Sequence, residues 1–140
     1  MWLPPGYDAN AAQRYPVLYT FDGQNVFDPA TSTLGIDWAA DEAADSLIKA
    51  RAVPAMIIVG MNSSAQRSAE YLPGALTAKH MAYVIGTVKP LIDATYRTRP
   101  EAATTWVGGS SAGGIAAFML VWERPDVFSR ALAFSPAFQS

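Results

Sequence analysis

The sequence predicts an α/β domain of three layers, with helices on both faces of a mostly parallel sheet of about four or five strands. Three observations carry that expectation. Short apolar runs rich in β-branched and aromatic residues alternate along the chain with runs of helical periodicity. Such alternation implies parallel strands joined by right-handed crossovers. The 140 residues are 51% hydrophobic and 16% charged, which suits one domain with one core. A glycine-serine turn, Gly108 to Gly114, lies between a strand-like and a helix-like run.

The elements follow in order. Tyr15 to Phe21 reads as a buried strand ending at the turn pair Asp22-Gly23. Residues 36 to 51 read as a helix, with Ile36, Trp38, Ala39, Ala43, Leu47 and Ile48 on one side. Its early acidic residues, Asp37, Asp41 and Glu42, suit the positive end of the helix dipole. Residues 55 to 60 form a second strand, and 61 to 78 read as a long loop. A second helix is expected over 79 to 94, with Pro90 marking a kink or an end. Residues 104 to 108 form the third strand, about 111 to 123 the third helix, and 130 to 135 the fourth strand. No linker divides the chain, so residues 1 to 140 read as a single domain. In a parallel sheet the loops after the strands gather on one edge. Asp22 to Asn25, Met61 to Thr77, Gly109 to Gly113 and Ser135 to Phe138 therefore meet there.

Gly109-Ser110-Ser111-Ala112-Gly113 has the spacing G-x-S-x-G. A strand that turns sharply into a helix needs small residues on both sides of the serine at the apex. The turn lifts the Ser111 hydroxyl off the backbone, beside helix N-terminal amides that stabilise an oxyanion. The flanking strand and helix runs supply the context that the pattern requires.

Composition excludes several function classes. The formal net charge is −2 with no basic cluster, so nucleic-acid binding has no electrostatic basis. The longest apolar runs are of strand length, so no membrane span is expected. No basic, apolar leader is visible, which makes a cytoplasmic location the default. There is no cysteine, which excludes disulfides and thiolate metal sites. Neither a metal cluster nor a nucleotide-binding fingerprint is visible, so no metal or cofactor is expected.

Further segments now extend the pattern. Leu3-Pro-Pro-Gly-Tyr-Asp8, Tyr15-Pro-Val-Leu-Tyr19, Asp22-Gly-Gln-Asn25, Glu70-Tyr71, Lys89-Pro-Leu-Ile-Asp93, Tyr96-Arg-Thr98, the elbow, and Phe134-Ser-Pro136 occur in that order. Together they resemble the esterase branch of the α/β-hydrolase superfamily. That branch holds enterochelin esterases, S-formylglutathione hydrolases, feruloyl and acetylxylan esterases, and mycolyltransferases. The resemblance implies a partial α/β-hydrolase fold with Ser111 as nucleophile. It also implies backbone amides of Ala112 and Gln24 as the oxyanion hole. Asp22 and Gly23 would help to build that hole, and Arg67, Glu70 and Tyr71 would line the substrate cleft. A small carboxylic ester is the implied substrate.

The resemblance also implies more chain than is present. Such domains take their catalytic acid and histidine from loops after the Ser-Pro segment. The chain thus reads as the N-terminal and central half of one, its leading strands absent or reduced to a stub. Its one histidine, His80, precedes the serine, opposite to the family order. Either His80 is recruited as base or it is a helix-start residue with no catalytic role. Asp22, Asp28 and Asp37 are possible orienting acids. The fourth strand would leave Ala131 to Phe134 as an open apolar edge, which predicts a homo-oligomer. Two alternatives to a serine esterase stand beside it: an inactive domain serving in binding or oligomerisation, and an acyltransferase.

Overall fold

The computed structural model describes residues 1–136 and 138. Four strands, β1 (Val17–Phe21), β2 (Ile57–Met61), β3 (Thr105–Ser110) and β4 (Arg130–Phe134), form a parallel sheet in the order β2-β1-β3-β4. In the register, Tyr19 lies between Val59 and Val107. The period of two along each strand separates two faces. Val17, Tyr19, Phe21, Ile57, Val59 and Val107 enter one core with Met81, Val84, Ile92, Ala116 and Leu120. Ile58 points the other way and packs with Val26 and Ala44. Helices α3 (Ala75–Tyr83), α4 (Lys89–Thr95) and α5 (Ala112–Glu123) cover the first face, and α1 (Ala40–Lys49) covers part of the second. This is the three-layer α/β arrangement that the alternation of elements predicts. No helix among the described residues is long and apolar enough to cross a membrane.

Element boundaries differ from the sequence expectation in four places. Helix α1 begins at Ala40 rather than near residue 36. The amides of Trp38 and Ala40 donate to the carbonyls of Asn25 and Val26, which ties the preceding chain to the loop after β1. Ile36, expected on the buried side of the helix, is 76% exposed. Residues 61 to 78, expected as loop, contain the short helix α2 (Arg67–Tyr71) and the start of α3. The Thr77 hydroxyl joins the two by donating to the carbonyls of Ala69 and Leu72. Pro90 does not end its helix. It sits in the first turn of α4, where a missing N–H is tolerated, and a π-helical turn over Val84–Val88 takes up the irregularity. The first two residues of the expected first strand lie outside β1, and Tyr15 bonds instead to the 97–99 segment.

Trp2 makes an isolated antiparallel bridge to Ile58, on the β2 side of the sheet. On the other side β4 is the edge of the sheet among the described residues, with Leu132 and Phe134 exposed. An apolar groove of about 510 Å³ separates it from α1, lined among others by Leu18, Trp38, Leu47 and Leu132.

Candidate active site

All four strands run in one direction, so the loops after Phe21, Met61, Ser110 and Phe134 share one edge of the sheet. Of the four segments expected there, Ala137 of the last lies outside the described residues.

Ser111 is the apex between β3 and α5. Its backbone has φ 56° and ψ −122°, a positive-φ conformation that a non-glycine residue adopts only when the surroundings enforce it. Three features enforce it. The Ser111 amide donates to the carbonyl of Phe134 at 3.0 Å, which pins the elbow to the end of β4. The Ser111 carbonyl accepts from the amides of Gly114 and Ile115, which starts the helix. Gly109 lies so close to the first turn of α5 that a Cβ there would come within 2.4 Å of the Gly113 carbonyl oxygen. The outcome is an exposed serine followed by a fully buried run, Ala112 to Ala117. The Ala112 amide is in the first turn of α5, among the donors that lack an intrahelical acceptor.

The second donor expected, Gln24, lies in a 3-10 turn over Gly23–Asn25. Its side chain is committed elsewhere. Nε2 donates to Ser63 Oγ at 2.9 Å, and the Ser63 amide donates to Oε1 at 3.1 Å. Its carbonyl accepts from the Thr31 hydroxyl at 2.8 Å. These bonds fix the residue from three sides and favour a backbone role for it. Gly23 is buried against the end of β2, where a Cβ would meet Gly60 C at 2.4 Å.

The residues expected to contact substrate divide into two groups. Asp22 and Tyr71 are 2% and 0% exposed, so they are internal rather than cleft-lining, and Gly23 is buried with them. Burial pushes the Tyr71 phenol up to about 12, and its oxygen accepts the Asp22 amide N–H. Arg67 is bound to Asp22 through Nε at 2.6 Å and Nη2 at 2.7 Å. That pairing raises the Arg67 pKa further and commits the Asp22 carboxylate, which therefore does not orient a histidine. Glu70 does line an open cavity of about 330 Å³, with Asn62, Ser64, Lys79, His80 and Tyr83. The two other acids serve local turns: Asp28 accepts from the Ala30 amide and Asp37 from the Ala39 amide. Asp37, Asp41 and Glu42 bring their carboxylates within 4.8 Å of one another, a grouping that the sequence did not disclose. Their place at the start of α1 suits the helix dipole.

His80 packs beside the rings of Phe21 and Tyr71, with centroids 5.8 and 5.5 Å away. Its Nε2 is occluded and has no hydrogen-bond partner among the described residues, Ser111 included. Burial lowers its pKa, and Glu70 opposes the shift only in part. Protonation is thus easier in the unfolded chain than in the native protein. The neutral ring contributes its full stability above the unfolded value of about 6.5, and that contribution is lost as pH falls through the window below it. The thermal midpoint is therefore expected to drop between about pH 7 and pH 5, and less steeply in His80→Gln. Equal slopes in the two proteins would refute this.

Comparison with known proteins agrees with this fold. The chain superposes on a ferulic acid esterase with a TM-score of 0.74 at 24% identity, covering 96% of this chain and 50% of that one. An IroE-like serine hydrolase from Shewanella oneidensis matches with a TM-score of 0.72 at 23% identity, over 96% and 44% of the two chains. The enterobactin esterase FES from Shigella flexneri matches with a TM-score of 0.73 at 21% identity, over 98% and 32%. The chain thus spans half or less of the length of these structures. At these identities they establish the fold. The family model described as "Putative esterase" matches residues 1–140. This chain belongs to that esterase family.

Proposed function

We propose that the chain hydrolyses small, activated carboxylic esters through an acyl-enzyme formed at Ser111. One observation carries the reading: an exposed serine is held at φ 56° on a strand-to-helix apex. In the first half-reaction Ser111 Oγ attacks the ester carbonyl and loses its proton to a base. The amides of Ala112 and Gln24 receive the oxyanion, and the alcohol departs with a proton. Water then attacks the acyl-serine by the same route in reverse, releasing the acid.

The base is a group other than His80, whose Nε2 is occluded and makes no hydrogen bond to a described residue, its ring lying beside those of Phe21 and Tyr71. The family assignment and the esterase neighbours support ester chemistry, and the serine hydrolase among those neighbours supports the nucleophile.

Hydrolysis of p-nitrophenyl acetate by wild type, Ser111→Ala and His80→Gln tests the reading. Wild type and His80→Gln are expected to turn over within about threefold of each other, since an unbonded packing residue makes no transition-state contact. Failure of wild type to exceed buffer would favour an inactive binding domain. Acyl transfer to an added alcohol in preference to water would favour the acyltransferase reading.

A further inference from the structure

The acidic residue that opens the loop after β1 does something other than touch substrate. Asp22 has φ 56° and ψ 46°, in the left-handed region. Aspartate tolerates that region better than most residues, though not for free. The conformation turns the chain so that Gly23 and Gln24 follow as the 3-10 turn at the catalytic edge. What holds it is a buried, two-pronged ion pair. Both Asp22 carboxylate oxygens accept from Arg67, the first residue of α2. The Asp22 side chain is 3% exposed and that of Arg67 is 34% exposed. Fork-to-fork pairing of this kind fixes orientation as well as distance. One turn later, Tyr71 accepts the Asp22 amide and lies 5.1 Å from the Arg67 guanidinium.

The same carboxylate also touches the other half of the hole. A Cβ placed on Gly113 would lie 3.3 Å from Asp22 Oδ2, 3.2 Å from Phe21 Cβ and 3.8 Å from a Tyr71 ring carbon. Gly113 adjoins Ala112 in the first turn of α5. One buried carboxylate therefore abuts the helix turn carrying the first oxyanion donor and precedes by two residues the second.

We propose that the Asp22–Arg67 ion pair is the positioning element of the oxyanion hole, setting the spacing between the Ala112 and Gln24 amides. Neither residue touches substrate in this role. The inference rests on the ester-hydrolase reading of Ser111. A hole whose donors move apart by about an ångström loses transition-state stabilisation while ground-state binding is little changed. Lysine at position 67 keeps the charge but loses the fork. A methionine keeps only the length.

The test uses the full chain and four proteins: wild type, Arg67→Lys, Arg67→Met and Ser111→Ala. Active sites are titrated with a fluorophosphonate, and kcat per titrated site and KM are measured with p-nitrophenyl acetate. Circular dichroism establishes that each variant is folded at the assay temperature. The expected result is a fall in kcat per site of about 10- to 100-fold in both Arg67 variants, with KM within about threefold. Phenylboronic acid, a mimic of the tetrahedral intermediate, should bind more weakly by a similar factor. A purely structural role would lower the thermal midpoint and the number of titratable sites while leaving kcat per site unchanged, which would overturn the inference. A rise in KM alone would overturn it too, by making Arg67 a substrate-binding residue. Absence of Ser111-dependent labelling in wild type would instead defeat the underlying hydrolase reading. Normal labelling in wild type and equally fast labelling in both variants would defeat only the positioning role.

Discussion

Replacing Ser111 with alanine is expected to eliminate the acyl-enzyme burst and lower steady turnover of p-nitrophenyl acetate by about 100-fold, because no acyl-enzyme forms. The alanine removes only Oγ. The backbone bonds that shape the elbow, from Ser111 N to the Phe134 carbonyl and from Gly114 and Ile115 to the Ser111 carbonyl, involve no side-chain atom. The variant should therefore fold with an unchanged sheet and an intact pair of oxyanion donors. Stopped-flow kinetics at matched protein concentration reads both quantities. A burst of equal amplitude in wild type and Ser111→Ala would place the nucleophile elsewhere.

The second large effect concerns the turn rather than the nucleophile. Gly109→Ala places a Cβ 2.4 Å from the carbonyl oxygen and 2.5 Å from the carbonyl carbon of Gly113. Both are backbone atoms in the first turn of α5, so no side-chain rotation relieves the clash. The helix start has to move away from β3, and the Ala112 amide moves with it. Overpacking of this kind costs about 1–3 kcal/mol or more. For a domain of this size that lowers the thermal midpoint by roughly 5–10 °C. Turnover should fall as well, because the elbow and the first oxyanion donor are displaced together. Gly86→Ala is the matched control. It lies in the continuous helical stretch before α4, where a Cβ meets nothing within 4 Å. Alanine there should be neutral or stabilising by up to about 1 kcal/mol. Calorimetry on the two variants checks the contrast, and a Gly109→Ala midpoint equal to wild type would refute it.

The elbow and the sheet were legible in the sequence because their signals are local. The strand over Thr105–Ser110, the glycine-serine turn and the apolar helix after it are contiguous, and each obeys a short period. The four strands appeared where β-branched and aromatic runs placed them, within one or two residues. What the sequence hid depends on distant partners. Asp22 and Arg67 are 45 residues apart, and they read separately, Asp22 as part of the turn that builds the hole and Arg67 as a cleft residue. Only the fold brings them together and buries the carboxylate. Tyr71 reads as a cleft residue, whereas its burial and its hydroxyl contact with the Asp22 amide make it internal. Helix α2 is five residues long, too short for any periodicity to show. The late start of α1 likewise has a tertiary cause, the bonds from Trp38 and Ala40 to the loop after β1. A signal that could have suggested the ion pair was present: an acid at the end of one strand and a lone arginine in the loop after its neighbour.

The central claim is that Ser111 forms a covalent bond to the reacting centre. Incubation of the full chain with a fluorophosphonate, followed by digestion and mass spectrometry, tests it most directly. One phosphonyl adduct per chain is expected, located on Ser111 and absent from Ser111→Ala. An adduct on another residue, or none at reagent concentrations that label serine hydrolases, would contradict it.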